Sequence, residues 1–153
     1  MGSKLQLIGI LGLVTGLLNA CGTSKVSQCN AFITQINATS QRLGQIQTPN
    51  SATTNPVNTE ALGQGLEEFA QALAKNIKTM EAIAVDAPMQ PLKTRLIAAY
   101  KATETKTKAL SQAIKTQNQA AAQTAQNQLM QASTAEKQLL KEFTAYCQAP
   151  EAK

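Results

Sequence analysis

KTKALSQAIKTQNQAAAQTA, residues 106–125, contains neither glycine nor proline, and its reading decides the fold. Apolar side chains on both sides of it follow helical spacing. Leu96, Tyr100, Leu110 and Ile114 come before its middle, with Thr103 and Thr107 between them; Ala122, Ala125, Leu129, Ala132, Leu139, Phe143 and Tyr146 come after. Joined, the two runs make one helix of about 56 residues, ~84 Å long, far above the usual length in a globular domain. Broken at Asn118, the best turn former in the stretch, they make two ordinary helices, from about Pro91 to Thr116 and from about Ala120 to Cys147.

Upstream, Leu62, Leu66, Phe69, Leu73, Ile77, Met80 and Ala84 recur at spacings of three and four, the clearest amphipathic stripe in the chain. Asn58 or Thr59 caps this segment and Glu60 sits favourably in its first turn. Asp86-Ala87-Pro88-Met89-Gln90-Pro91 ends it, and Pro91 suits the start of the next helix. An earlier helix is expected over about Val26 to Ile46, with Cys29, Phe32, Ile36, Leu43 and Ile46 on one face and Ile33 beside them. It stops at Thr48-Pro49, and residues 47–58 (QTPNSATTNPVN) read as a loop.

The composition agrees with helix. Much of the 43% hydrophobic fraction is alanine and aromatics are only 3%, so there is little from which to build a sheet. Histidine is absent, which removes the usual metal ligand and the usual general base together. The net charge of +5 comes without any basic motif interleaved with aromatics, so nucleic acid is not an expected partner.

The first twenty residues read as an export signal. Lys4 and the amino terminus give a short positive region, and Leu5 to Leu18 (LQLIGILGLVTGLL) an apolar one of about 14 residues, shorter than a membrane span requires. Leu18-Asn19-Ala20-Cys21 follows, an aliphatic residue, two small ones and a cysteine. This resembles the lipobox of bacterial lipoproteins, although Asn19 stands where Ala or Ser is usual. The resemblance covers residues 1–21 alone. It implies that residues 1–20 are removed, that the Cys21 thiol carries a diacylglycerol, and that the mature chain is anchored by acyl chains on the extracytoplasmic side of a membrane. Residues 21–25 then form a short tether, and Gly22, where inner-membrane retention favours Asp, points toward the outer membrane of a host that has one.

With Cys21 lipidated, Cys29 and Cys147 remain, and an exported protein can keep them bonded. Each lies on the apolar stripe of a terminal helix. In an antiparallel, up-down-up-down four-helix bundle the start of the first helix and the end of the last meet at one end, so the bond is feasible. With residues 91–147 in one straight helix it is not. The expectation is therefore an all-α domain over residues 26–147, closed by Cys29–Cys147, with 148–153 as a tail.

Specific chemistry is scarce. Lys101, Lys108 and Lys115 recur every seven residues, joined by Lys93, Arg95 and Lys106 against Glu104 alone on the same segment. Together with Lys141 they are candidates for contact with anions or lipid headgroups, though a solvated helix face explains the pattern more simply. Glu67 and Glu68 diverge around a helix and read as surface charges; Met80, Met89 and Met130 are too scattered for a soft-metal site and read as gap fillers or loop residues. No serine is framed as a nucleophile, and Asn37-Ala38-Thr39 matches a glycosylation triplet only incidentally. No cofactor or metal signal is present.

The expected function is a non-enzymatic binding or structural module of the cell envelope. The alternative is an accessory subunit of a membrane complex, because small helical lipoproteins that accompany cyanobacterial photosystem II are similar in size, anchor and helix count. That likeness is architectural and carries no shared motif. The short tether should hold the Cys29 end near the lipid, with Lys25, Lys93, Arg95 and Lys141 there. Residues 47–58 would face away and be the first place to look for a partner contact.

Overall fold

The computed structural model describes residues 25–45 and 59–150. Four helices account for most of them: α1 (Lys25–Gln45), α2 (Thr59–Ala82), α3 (Gln90–Lys115) and α4 (Gln119–Gln148). Among the described residues there is no strand. Residues 1–24, with the expected export signal and Cys21, residues 46–58, expected to be a loop, and residues 151–153 lie outside them.

The break that decides the fold is at the expected place, made by an unexpected residue. The Asn118 N–H donates to the Ala113 carbonyl (2.9 Å) and the Gln117 N–H to that of Ile114 (3.0 Å), which satisfies the last carbonyls of α3. This pairing needs a left-handed residue between, and Gln117 takes it at φ 53°. Glycine usually serves there, because a Cβ is strained at positive φ. Asn118 then turns to the next helix, its side chain accepting from the Ala121 N–H at 3.0 Å as the N-cap of α4. One residue closes α3 and the next opens α4.

Between α2 and α3 the Asp86 carbonyl accepts from Met89 and Gln90, and the Asp86 carboxylate also accepts from the Met89 N–H (3.2 Å). Lys93 donates to the carbonyls of Glu81 (2.7 Å) and Ile83 (2.5 Å), placing a cation at the negative end of α2. The turn folds Met89 inward, so a methionine that the sequence left among gap fillers and loop residues is fully buried.

α3 packs extensively on both α2 and α4, whereas α1 rests mainly on α2 and only slightly on α4. The core is a single cluster that includes Phe32, Leu73, Ile77, Met80, Leu96, Tyr100, Leu139 and Phe143. Phe32 and Phe143 meet with ring centroids 5.9 Å apart and tilted by 56°. Leu92 and Ile97, outside the expected stripe, are also buried. Leu43 is 43% exposed despite its inward register, because the buried part of α1 ends at Thr39. Ala84 is exposed because α2 ends two residues before it.

Threonines fill positions that apolar residues would otherwise hold. Thr107, fully buried, donates to the Thr103 carbonyl one turn back (2.8 Å), so its hydroxyl needs no other partner. Ser111 donates across to the Gly63 carbonyl (2.7 Å). The helices approach so closely there that a Cβ on Gly63 would lie 2.9 Å from Cγ of Lys115.

Candidate functional site

Two places concentrate chemistry: the end of the bundle that holds the cysteines, and a polar cluster at mid-height. At the first, Cys29 and Cys147 are joined as a disulfide, with Cα atoms 5.9 Å apart. Lys25 packs beside them, its ammonium 4.7 Å from the Tyr146 ring centroid and donating to the Ala149 carbonyl at 2.6 Å. Gln28 accepts from the Asp86 N–H (3.2 Å), tying the start of α1 to the α2–α3 turn.

Most of the basic residues singled out from the sequence are paired. Arg95 meets Glu142 on α4 at 2.6 Å, Lys101 meets Glu81 on α2 at 2.7 Å, and Lys108 meets Glu104 within α3 at 2.5 Å. Lys115 pairs with Glu67 on α2, and Lys93 is spent on two backbone carbonyls. Lys141 is exposed and makes no ion pair among the described residues. The seven-residue spacing of lysines on α3 does lie along one helix, but carboxylates of α2 compensate two of the three. A pattern read along α3 alone does not reveal them.

The mid-height cluster draws on all four helices and was not anticipated as a unit. From α2, the Asn76 amide donates to Thr39 Oγ1 at 2.7 Å and to the Gln35 carbonyl at 3.3 Å, both on α1. Tyr100, 1% exposed, has its phenol beside Thr39 and Glu136, near enough to feel both. Thr103 donates to Glu136 Oε2 at 3.2 Å. Burial holds the Glu136 carboxyl above the usual carboxylate range, and the Thr103 and Tyr100 hydroxyls act against it. Burial likewise raises the Tyr100 phenol, with the Glu136 charge adding to the shift and Thr39 opposing it.

This arrangement ties side chains of all four helices together at one level. Among the described residues no buried side-chain nitrogen or oxygen lacks a partner, so the cluster presents no unsatisfied group to a substrate. Its sequence signal was Glu136 itself, a carboxylate in the inward register between Ala132 and Leu139.

A shallow, open depression of about 420 Å³ lies elsewhere, at the α3–α4 turn, lined by Ala109, Asn118, Thr124 and Gln128 among others. None of its lining residues is ionisable. Among the described residues no group of three His, Cys, Asp or Glu is placed to hold a metal ion, and no helix is long and apolar enough to cross a membrane. No protein-family model matches the chain, and neither a curated protein nor a solved structure matches it.

Proposed function

We propose that this chain is a lipid-anchored, extracytoplasmic helical module that works by binding or by structure rather than by catalysis. The observation that carries the reading is the division of three cysteines. Two are joined across the bundle, and the third, Cys21, stands at the end of Leu18-Asn19-Ala20-Cys21, where a lipobox places its acylated residue. A disulfide joining the two ends of a domain suits an exported protein.

The helices run up, down, up and down. Cross-helix partners support this order, because residue numbers rise on one helix as they fall on the next. Gln28 and Gln35 face Asp86 and Asn76; Gly63 and Glu81 face Ser111 and Lys101; Arg95 and Thr103 face Glu142 and Glu136. The Cys29 end is then nearest the membrane. Lys141 is the basic side chain there best placed for anionic headgroups, worth about 1 kcal/mol at the lipid surface. With the other bases engaged, the acyl chains supply nearly all of the attachment.

Fractionation of cells that express Cys21→Ser tests the anchor. The variant should leave the membrane and appear as a soluble, folded, disulfide-bonded domain. Equal membrane retention of the variant and the wild type would refute the reading. Gentle solubilisation then separates the two kinds of module. A large complex of fixed stoichiometry makes the protein an accessory subunit, and its absence leaves a free-standing envelope module.

A further inference from the structure

α1 is lightly secured. It rests mainly on α2 and only slightly on α4. Its buried side chains are Cys29, Phe32 and Thr39, and residues 40–44 are all exposed. The disulfide pins its start to the end of α4. Beyond that pin, α1 is held by Phe32 against Phe143, by the partly buried Ile33 and Ile36, and by the polar contacts around Thr39. Those contacts lie in the mid-height cluster, which also holds Glu136.

The hydrogens available to Thr39 can be counted. Asn76 donates to Thr39 Oγ1 and to the Gln35 carbonyl, and Thr39 gives its own hydrogen to that same carbonyl at 3.0 Å. The Tyr100 phenol lies beside both Thr39 and Glu136. With the Thr39 hydrogen spent, a bond between the two hydroxyls has to be donated by Tyr100, which has one hydrogen for two neighbours. Glu136 decides where it goes. An ionised carboxylate only accepts; it already takes a hydrogen from Thr103 at 3.2 Å, and its charge draws that of Tyr100 as well. A protonated carboxyl has a hydrogen of its own to give to the Tyr100 oxygen, which frees Tyr100 to donate to Thr39. A proton on Glu136 therefore completes a line of donors from α4 through α3 to α1. Without it the line is one hydrogen short.

We infer that the proton on Glu136 fastens α1 to the bundle, and that α1 loosens from its Thr39 end, still pinned at Cys29, when that proton leaves. An ionised carboxylate inside the bundle also draws water, and the lightly held α1 is the helix that gives way to it. No other charge takes over the role of the proton. α1 has no charged residue between Lys25 and Arg42. α2 brings the Asn76 amide to the cluster, and Lys75 and Lys78 on either side of it are exposed. On α3, Glu104 is engaged by Lys108, and Lys106 follows Thr103 by one turn; on α4, Lys137 is adjacent to Glu136. No ion pair among the described residues reaches Glu136. Burial raises the carboxyl above the usual carboxylate range and keeps the Tyr100 phenol protonated. α1 is therefore fully fastened below the ordinary value of 4.5 and is released as pH rises through the raised one. Its release bares the seat of Phe32 beside Phe143.

Hydrogen exchange of the full, oxidised protein at pH 4 and pH 8, corrected for the pH dependence of intrinsic exchange, tests this. Opening of residues 33–44 should rise several-fold with pH, bounded at about tenfold for each unit by which the carboxyl is raised, while α2, α3 and α4 stay protected. Glu136→Gln has an amide hydrogen to donate at every pH, so its α1 should be as protected at pH 8 as that of wild type at pH 4. Tyr100→Phe removes the link itself, so its α1 should open readily at both pH values. Wild-type α1 that opens equally at pH 4 and pH 8 overturns the inference. Opening that rises alike in all four helices also overturns it, because Glu136 would then govern general stability and not the seating of α1. An α1 that still follows pH in Glu136→Gln removes the carboxyl as the cause, and one that does so in Tyr100→Phe removes the phenol as the link; either result overturns the inference.

Discussion

Removing the disulfide should cost this domain a large part of its stability. Cys29 and Cys147 are 118 residues apart in sequence, and closing a loop of that size lowers the entropy of the unfolded chain by an amount worth about 5 kcal/mol at 25 °C. Measured disulfides usually deliver somewhat less, so a loss of about 3–5 kcal/mol is expected for Cys29→Ala/Cys147→Ala. For a domain of this length that corresponds to a fall in Tm of roughly 12–20 °C. The loss should also be uneven. α1 buries little beyond Cys29, Phe32 and Thr39, and touches α4 only slightly, so it should lose amide protection before α2, α3 and α4 do. Urea unfolding followed by circular dichroism gives the total, and hydrogen exchange gives the distribution. Reduced wild type serves as a control that keeps both sulfurs. A double variant within about 1 kcal/mol of the oxidised wild type would refute the reasoning, because the bond would then close no loop the unfolded chain leaves open.

Glu136→Gln tests the mid-height cluster through pH. The Glu136 carboxyl is raised above its ordinary 4.5 in the folded state, so its contribution is complete below that value and is lost as pH rises through the folded value. The Gln variant should therefore match wild type in urea melts at pH 4 and exceed it at pH 8; the reverse order would remove burial as the cause. Gln117→Gly, which relieves the positive φ of the α3–α4 turn, should stabilise by up to about 1 kcal/mol, and a destabilised variant would contradict the left-handed assignment. Lys93→Gln should cost about 1 kcal/mol by uncapping α2 while leaving membrane attachment unchanged. A variant of full stability but weakened attachment would return Lys93 to the headgroup surface.

Much of the helical architecture could be read from the residues. The stripe from Leu62 to Met80 and the breakers at Pro88 and Pro91 are local signals, and local signals survive folding. The α3–α4 turn was harder, since its left-handed residue is Gln117 where glycine would have announced it. Asn118 revealed the turn instead, as the best turn former of the stretch, and its capping role emerged only with the structure. Leu43 misled because periodicity gives the direction of a side chain but not whether a neighbouring helix extends far enough to cover it. Met89 was hidden for the opposite reason, since a turn residue has no period to declare it buried. The carboxylates that neutralise Lys101 and Lys115 come from another helix, as do the partners of Glu136. Cross-helix pairs depend on register, which no single segment encodes.

The division of the cysteines is tested most directly by the intact mass of the full protein, extracted from membranes without reductant and fragmented. The account predicts a chain that begins at Cys21, carries the added mass of the acylglyceryl group there, and is two hydrogens lighter than its reduced form, with the loss assigned to Cys29 and Cys147. A chain that retains residues 1–20 with an unmodified Cys21, or that joins Cys21 to either of the other cysteines, would contradict it.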